Sequence, residues 1–409
     1  MINYTKNFPS QVVSDIEKDS FDYGLKVAVA IEDEWFHGSH MNRYKGLSNK
    51  FHELRLYARG EQSIQKYKDE LSINGDLSYL NLDWTPVPVI PKFVDIVVNG
   101  MAQRSFDVKA YSQDEYGMYQ RTEYMQSILR DMRSKEFKDN AKLLFNMDLY
   151  ENKEDVLPET QEELDLHMQL NYKQSIELAE EQAINVLLEG SKYDLIRNRV
   201  LRDIVVLGIG AIKTNFDFSQ GATIEYVDPA NLVYSKTNSP YFEDIYYVGE
   251  IKSIPINELV RQFPNLTEVD LKYIQENNSD TLTRSNINKD RLDKNIVDVL
   301  YFNYKTYTND TYKLKETGTG GERAIEKPDT FNPPADKQGG FTRVVRQVEC
   351  LYEGAKILGI DRLLDWKKSE NMMREDSELN KVKMNYSIVA PRMYNDKIES
   401  LVKRVTGFA

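Results

Sequence analysis

Apolar residues in this chain change their spacing at Gly208-Ile209-Gly210-Ala211. Just before that point LIRNRVLRDIVVLG carries them every three to four residues, the period of a helix with one buried face. Just after it GAIKTNFDF and ATIEYVDPANLVYS alternate apolar with polar, the period of a strand. Asp228-Pro229-Ala230-Asn231 supplies a turn within the second stretch. A helix feeding a hairpin-like β segment, with further segments of both kinds on either side, predicts an α+β chain. The order also disposes of a nucleotide reading. A dinucleotide fingerprint needs a strand before its glycines and a helix after them, and here the order is reversed.

Upstream, residues to about Ile31 read as a polar arm or a short surface helix. From Asn42, Leu47, Phe51, Leu54 and Leu56 or Tyr57 recur at helical spacing, and Gly60 is placed to close that helix. A second helix follows through Ile64 and Tyr67. Trp84-Thr-Pro-Val-Pro-Val-Ile-Pro91 forces an extended connector, and Pro91 suits the first turn of a helix, PKFVDIVVNGMAQ. That helix puts Phe93, Ile96, Val97 and Met101 on one face. SFDVKAYS after it alternates like a strand, and residues from about Arg121 to Tyr150 are helical and charged, up to an acidic turn at Glu151. Thr160 to Glu163 matches a capping box ahead of one long helix to Leu188, ended by Gly190. Its carboxylates, Glu162, Glu163, Glu177, Glu180 and Glu181, read as a solvated face.

Downstream, YFEDIYYVGEIKS is strand-like, and Ile254 to Phe263 is a short helix stopped before Pro264. The composition turns polar at about Asn277. IVDVLYFNYKTYTND alternates as a strand, and KETGTGGERAIEKPDTFNPPADKQGG is the richest Gly/Pro loop of the chain. TRVVRQVECLYEGAKILGI reads as a strand pair turning at Glu353-Gly354. MYNDKIESLVKRVTGFA reads as the start of an amphipathic helix through Ile398, Leu401, Val402 and Val405, with the chain expected to continue past Ala409. No repeat of solenoid period is present.

Composition narrows the chemistry. One cysteine, Cys350, excludes an internal disulfide framework and a cysteine-rich zinc site. Of the four histidines, His37 and His40 in FHGSH are close enough to seat a metal but read as solvated loop residues. Gly318-Thr-Gly320-Gly321 lacks the Lys-Ser or Lys-Thr of a phosphate loop. No nucleophile elbow, zinc-protease helix or kinase signature occurs. Lys and Arg total 53 against 65 Asp and Glu, a net charge of −12, which argues against a protein that coats nucleic acid with a uniformly basic surface. The first residues lack a secretory pattern, and the longest apolar runs are too short to span a bilayer. Twenty-six tyrosines, against 16 Phe and 3 Trp, suit extensive, partly wet interfaces. No catalytic residue, cofactor or metal is expected from these features, which point to scaffold or assembly work.

Four stretches, in order, resemble the portal proteins of tailed phages: residues 49–62 (NKFHELRLYARGEQ), 87–108 (VPVIPKFVDIVVNGMAQRSFDV), 195–235 (LIRN through LVYS), and IVDVLYFNY followed later by DKIESLVKRVTGFA. The general character is most similar to the crAss-like group. The resemblance implies a portal-like α+β fold with a helix-rich wing with small β-sheets over 1–253, a first stem helix and linker over 254–292, a β-containing clip over 293–394, and the start of a second stem helix over 395–409. It implies a homo-oligomeric ring, of about twelve subunits, at one capsid vertex of the virion. Double-stranded DNA would be packaged and ejected through it. Partners would be the major capsid protein, the large terminase subunit during packaging, and a head–tail adaptor; membrane has no part. Lys397, Lys403 and Arg404 would touch DNA phosphates if the final helix faces the channel, and otherwise solvate that helix or pair with Glu399. Gly318, Gly320, Gly321, Pro333 and Pro334 would lie in the clip loop that meets terminase and adaptor. Another virion connector or scaffold, or a carboxylate-dependent hydrolase, are the rival readings.

Overall fold

Ser14 and Ser20 start the first two helices by accepting backbone N–H groups with their hydroxyls, from Glu17 at 3.4 Å and from Tyr23 at 3.3 Å. The computed structural model describes residues 7–37, 43–61, 65–71, 88–104, 106–147, 149–152, 157–170, 172–217, 221–277, 295–316, 321–331, 341–370, 372–375, 378–394 and 397–406. By packing, the chain forms two units, Met1–Gln103 with Asp194–Ala409, and Arg104–Tyr193.

In the first unit, α1 (Asp15–Lys18) and α2 (Phe21–Glu32) precede a short π-helical turn, Asp33–His37. The stretch read as a surface arm or a short surface helix is helical, but it does not lie on the surface: Tyr23, Val27, Ala28, Ile31 and Trp35 are buried. A helix covered this widely has no narrow apolar stripe, which is why its period is hard to see in the sequence. α3 (Arg43–Arg59) buries Phe51, Leu54 and Ala58. It ends as expected: Gly60 takes φ +76°, and the Glu61 N–H reaches the Leu56 carbonyl at 3.0 Å. α4 (Gln65–Leu71) and α5 (Val89–Ala102) follow.

The second unit holds α6 (Glu115–Arg133), α7 (Lys135–Phe145), α8 (Gln161–Leu170) and α9 (Ser175–Gly190) around Ile128, Leu164 and Met168. The single long helix read to Leu188 is thus two helices. Thr160 does cap the first, accepting from the Glu163 N–H at 3.2 Å, while Glu163 reaches the Glu159 N–H at 2.8 Å. Of the segment read as a strand, the described residues 106–112 form none. The Ala110 and Ser112 N–H groups donate to Glu181 (3.1 Å) and Glu177 (2.8 Å), so these two carboxylates hold an extended segment rather than face water. Asp131 is fully buried and accepts from Lys138 and from both the backbone and side-chain nitrogens of Asn152 at 3.0 Å. Burial opposes its charge, but these donors outweigh burial and lower its pKa.

Back in the first unit, α10 (Tyr193–Val206) leads to β1 (Gly210–Asp217) and β2 (Gly221–Val227), the predicted helix and hairpin. A 3₁₀ turn, Pro229–Asn231, leads to β3 (Leu232–Tyr234) and β4 (Tyr247–Pro255), then α11 (Ile256–Gln262) and α12 (Glu268–Asn277). β5 (Ile296–Glu316), β6 (Glu322–Lys327), β7 (Phe341–Ile357) and β8 (Leu363–Lys368) come next. Last are β9 (Met373–Glu375), β10 (Glu378–Lys383), β11 (Tyr386–Val389), β12 (Met393–Tyr394), β13 (Lys397–Ile398) and α13 (Leu401–Thr406).

The main sheet runs β3-β4-β5-β7-β8, with β6 added to the far end of β5. β7 is one 17-residue strand, so no turn exists at Glu353-Gly354. Gly354 lies opposite Phe302, and a Cβ there would collide with the Phe302 ring. The glycine serves close packing rather than reversal. β4 pairs with β5 from Tyr247↔Tyr304 to Pro255↔Ile296, and β11 pairs with β1. Strand pairing therefore continues across the 253/254 and 292/293 boundaries read from the sequence. The described part of the first-stem segment is two short helices, α11 and α12.

Many of the tyrosines work inside this core. Tyr234, Tyr247, Tyr304 and Tyr352 are among the largest fully buried side chains. Three of these hydroxyls have named partners: Tyr247 donates to Glu34 at 2.8 Å, Tyr352 donates to Asp19 at 2.7 Å, and Tyr304 accepts from Gln11 at 3.1 Å. α2 is fixed to β7 by a buried ion pair, Glu32 with Lys356, and Glu32 also accepts from the Gly359 N–H at 2.8 Å. Lys356→Met leaves the Glu32 carboxylate buried without its cation. It should cost about 3 kcal/mol or more in denaturant unfolding, and adding Glu32→Gln should restore much of that. In the second unit, the lowered Asp131 pKa is a stabilising contribution fully present above the ordinary carboxylate value of 3.8 and lost as the pH falls below it. Hydrogen-exchange protection factors of α6, corrected for the intrinsic pH dependence of exchange, should therefore fall on acidification below that value, and Asp131→Ala should remove the pH step.

Candidate functional site

Three surfaces of the first unit carry the groups that could meet a partner. The first is the outer end of the β5–β7 ladder. Its pairing runs from Val299↔Ile357 to Lys315↔Phe341, a length of about 55 Å at strand rise. The inner part is buried, whereas residues 342–347 of β7 are all exposed. Val344 and Val345, which point to opposite faces, are both exposed, although Thr311 opposite Val345 is buried and Arg346 donates to Asn380 of β10 at 2.8 Å. The Gly/Pro-rich segment read as one loop contains β6, which pairs with β5 from Thr311↔Lys327 to Glu316↔Glu322. Gly321 is exposed just ahead of β6. Gly318, Gly320, Pro333 and Pro334 lie outside the described residues.

The second surface is the C-terminal segment. Lys397 sits in β13, paired with Tyr394, and the helix begins only at Leu401. The helix read from Ile398 onward therefore starts later, and Lys397 and Glu399 lie ahead of it. Ile398 and Val402 are buried against the main core, which anchors the segment. Lys403 and Arg404 are exposed on α13. Lys50 on α3 donates to the Ile398 carbonyl at 3.2 Å, and burial, with the Lys403 charge nearby, lowers its pKa. The structure thus brings Lys403 to α3 and leaves Lys397 on a separate strand.

The third surface was not anticipated. α3 contributes Arg55 and Arg59, four residues apart, and α10 contributes Arg199, Arg202 and Asp203, at three- and four-residue spacing. They meet Tyr226 and Asp228 around a cleft of about 280 Å³. Arg55 forms a forked pair with Asp228, at 2.6 and 3.1 Å, and lies 3.5 Å from Asp203. Burial opposes the Arg55 charge, but Asp228 and Asp203 outweigh it and raise its pKa further. Asp203 accepts from the Tyr226 hydroxyl; burial nevertheless raises its pKa. Arg199 lies over the Tyr226 ring at 4.0 Å. Arg202 reaches Asp95 at 3.5 Å, with both side chains about half exposed. The spacings in LRLYAR and RNRVLR could have marked two arginine faces, but nothing in the sequence joins them.

Cys350 is buried, and burial pushes its thiol up to about 11, the opposite of an activated nucleophile. His37 ends the π-helical turn and His40 lies outside the described residues. Among the described residues no group of three or more His, Cys, Asp or Glu is placed to hold a metal, and no helix is long and apolar enough to cross a membrane.

Arg55→Ala should cost about 2 kcal/mol at neutral pH, since it strips two partly buried carboxylates of their donor. Losing that cation raises the Asp203 pKa further. An Asp with a raised pKa contributes stability at low pH that is lost as the pH rises. The deficit of the variant, measured by denaturant unfolding, should therefore shrink on acidification as Asp203 takes up a proton. No protein-family model matches the sequence, and no curated protein matches it either.

Proposed function

We propose that the chain is a non-catalytic subunit of a ring-shaped portal, assembling with copies of itself at one vertex of a phage capsid. DNA would pass through the ring, while the large terminase subunit and then a head–tail adaptor would dock on it. About twelve subunits would make the ring, among major capsid protein, in a virion built in the host cytoplasm. The portal identity rests on the order of the four resembling segments.

Self-assembly is supported above all by α5. On a helical wheel its apolar positions span an arc of about 200°. The chain's own core takes Val94 and Val98 at one edge of that arc and part of Ile90. Phe93 is 61% exposed, Ile96 57% and Val89 52%, with Val97 and Met101 beside them. The face expected from the sequence therefore exists, but it points outward. A contiguous apolar face on a soluble chain marks an interaction surface. A second copy satisfies it without any further partner, as a ring of identical subunits requires.

A non-catalytic role agrees with the inert Cys350. The projecting end of the β5–β7 ladder, apolar on both faces at Val344 and Val345, suits a docking element. Negative-stain images of the purified full chain should show rings with a central hole. Phe93→Asp with Ile96→Asp, both at exposed positions, should give folded single subunits. Single subunits from the unaltered chain at micromolar concentration would contradict the reading.

A further inference from the structure

We propose that the cleft between α3 and α10 is a binding site for a phosphate group, gripped by Arg59 and Arg199 with Arg202 at its rim. The inference does not depend on the ring reading.

Four guanidinium groups border this cleft and only two carboxylates do, an excess of two positive charges inside a chain of net charge −12. Guanidinium groups stay protonated at any working pH, so the crowding of like charge cannot be relieved by proton loss. Both carboxylates are already engaged. Asp228 holds Arg55 in a forked pair and accepts the Ala230 N–H at 2.9 Å. Asp203 takes the Tyr226 hydroxyl and lies 3.5 Å from the Arg55 nitrogen that also donates to Asp228. Arg55 is thus a structural member of the cleft, and its charge is spent.

The remaining forks are not committed in this way. Arg59 is exposed and makes no ion pair among the described residues. Arg199 is held in place by the Tyr226 ring rather than by an acid. Arg202 has one carboxylate contact, at 3.5 Å and well exposed, which is worth little and easily exchanged. Three forks therefore reach one space from two helices. A carboxylate has two oxygens and fills one fork. A phosphate has three terminal oxygens on a tetrahedral centre and can accept from forks arriving from different directions. About 280 Å³ exceeds the needs of one phosphate, leaving room for the group it is attached to. That group could be a second phosphate, a nucleoside, or the next unit of a nucleic-acid backbone. The shared chemistry is the phosphate.

Inorganic pyrophosphate is the probe, titrated calorimetrically into the full chain at constant ionic strength set with sodium chloride. The expected result is saturable binding, weakened about tenfold by Arg59→Gln and again by Arg199→Gln, each losing one charged hydrogen-bonding fork. Lys272→Gln, which removes a positive charge from an exposed site on α12, should leave binding unchanged. Circular dichroism and unfolding of the two arginine variants should match the parent, because both side chains are exposed. Arg59→Lys keeps the charge without the fork and should recover only part of the loss. Displacement of pyrophosphate by a short single-stranded oligonucleotide would identify a backbone phosphate as the source, and displacement by a nucleoside diphosphate alone a small ester; either supports the site. Absence of saturable binding, binding indifferent to Arg59→Gln and Arg199→Gln, or binding of an oligoglutamate peptide in preference to pyrophosphate would each overturn it.

Discussion

The first unit depends on covering the inner half of the β5–β7 ladder. Leu300, Phe302, Leu351 and Tyr352 are shut away from water in the core that α2 joins, while Val299 and Ile357 are shut away in a second cluster with Leu259 of α11 and Ile274 of α12. Burying each such side chain contributes about 1.5–3 kcal/mol, so the N-terminal helix and the strands it covers stand or fall together. The pair Glu32–Lys356 fixes how the helix sits, because neither charge can be left without the other in that position. Aromatic residues complete the seal: Trp366 stacks on Tyr352 at 4.9 Å and donates to the Lys18 carbonyl at 2.8 Å. The smaller β11-β1-β2 sheet is tied in through buried Glu250, which takes Lys213 at 3.2 Å, Lys252 at 3.1 Å and the Tyr386 hydroxyl at 3.3 Å.

That core sets what is left outside it. The ladder continues past the buried core to an outer end where residues 342–347 of β7 are exposed. α5 gives one edge of its apolar arc and part of Ile90 to the core and keeps the rest exposed. α3 buries Phe51, Leu54 and Ala58 on one side, which turns Arg55 and Arg59 towards α10. Helix spacing and core packing together therefore produce the cleft, the apolar face and the projecting strands.

How much of this the sequence displayed depended on how local the cause was. Gly60, Pro91 and Asp228-Pro229 mark their elements because a cap or a turn is decided by a few neighbouring residues. The helix-to-hairpin passage through Gly208-Ile209-Gly210 was legible for the same reason. α2 was not, because burial on many sides erases the amphipathic period. Gly354 misled, since the contact that demands a glycine is Phe302 on another strand. Glu177 and Glu181 looked like solvent-facing carboxylates, and only the structure brings the N–H groups of Ser112 and Ala110 to them. The arginine cleft lay beyond local reasoning altogether: its two pairs are regular on their own helices, but their meeting is a property of the fold.

In the proposed ring, the exposed α5 face is covered by another copy of this chain. Mass photometry of the purified protein should then show one dominant species at a large multiple of the 47.6 kDa chain, persisting on dilution. A single peak at the mass of one chain at micromolar concentration would contradict it.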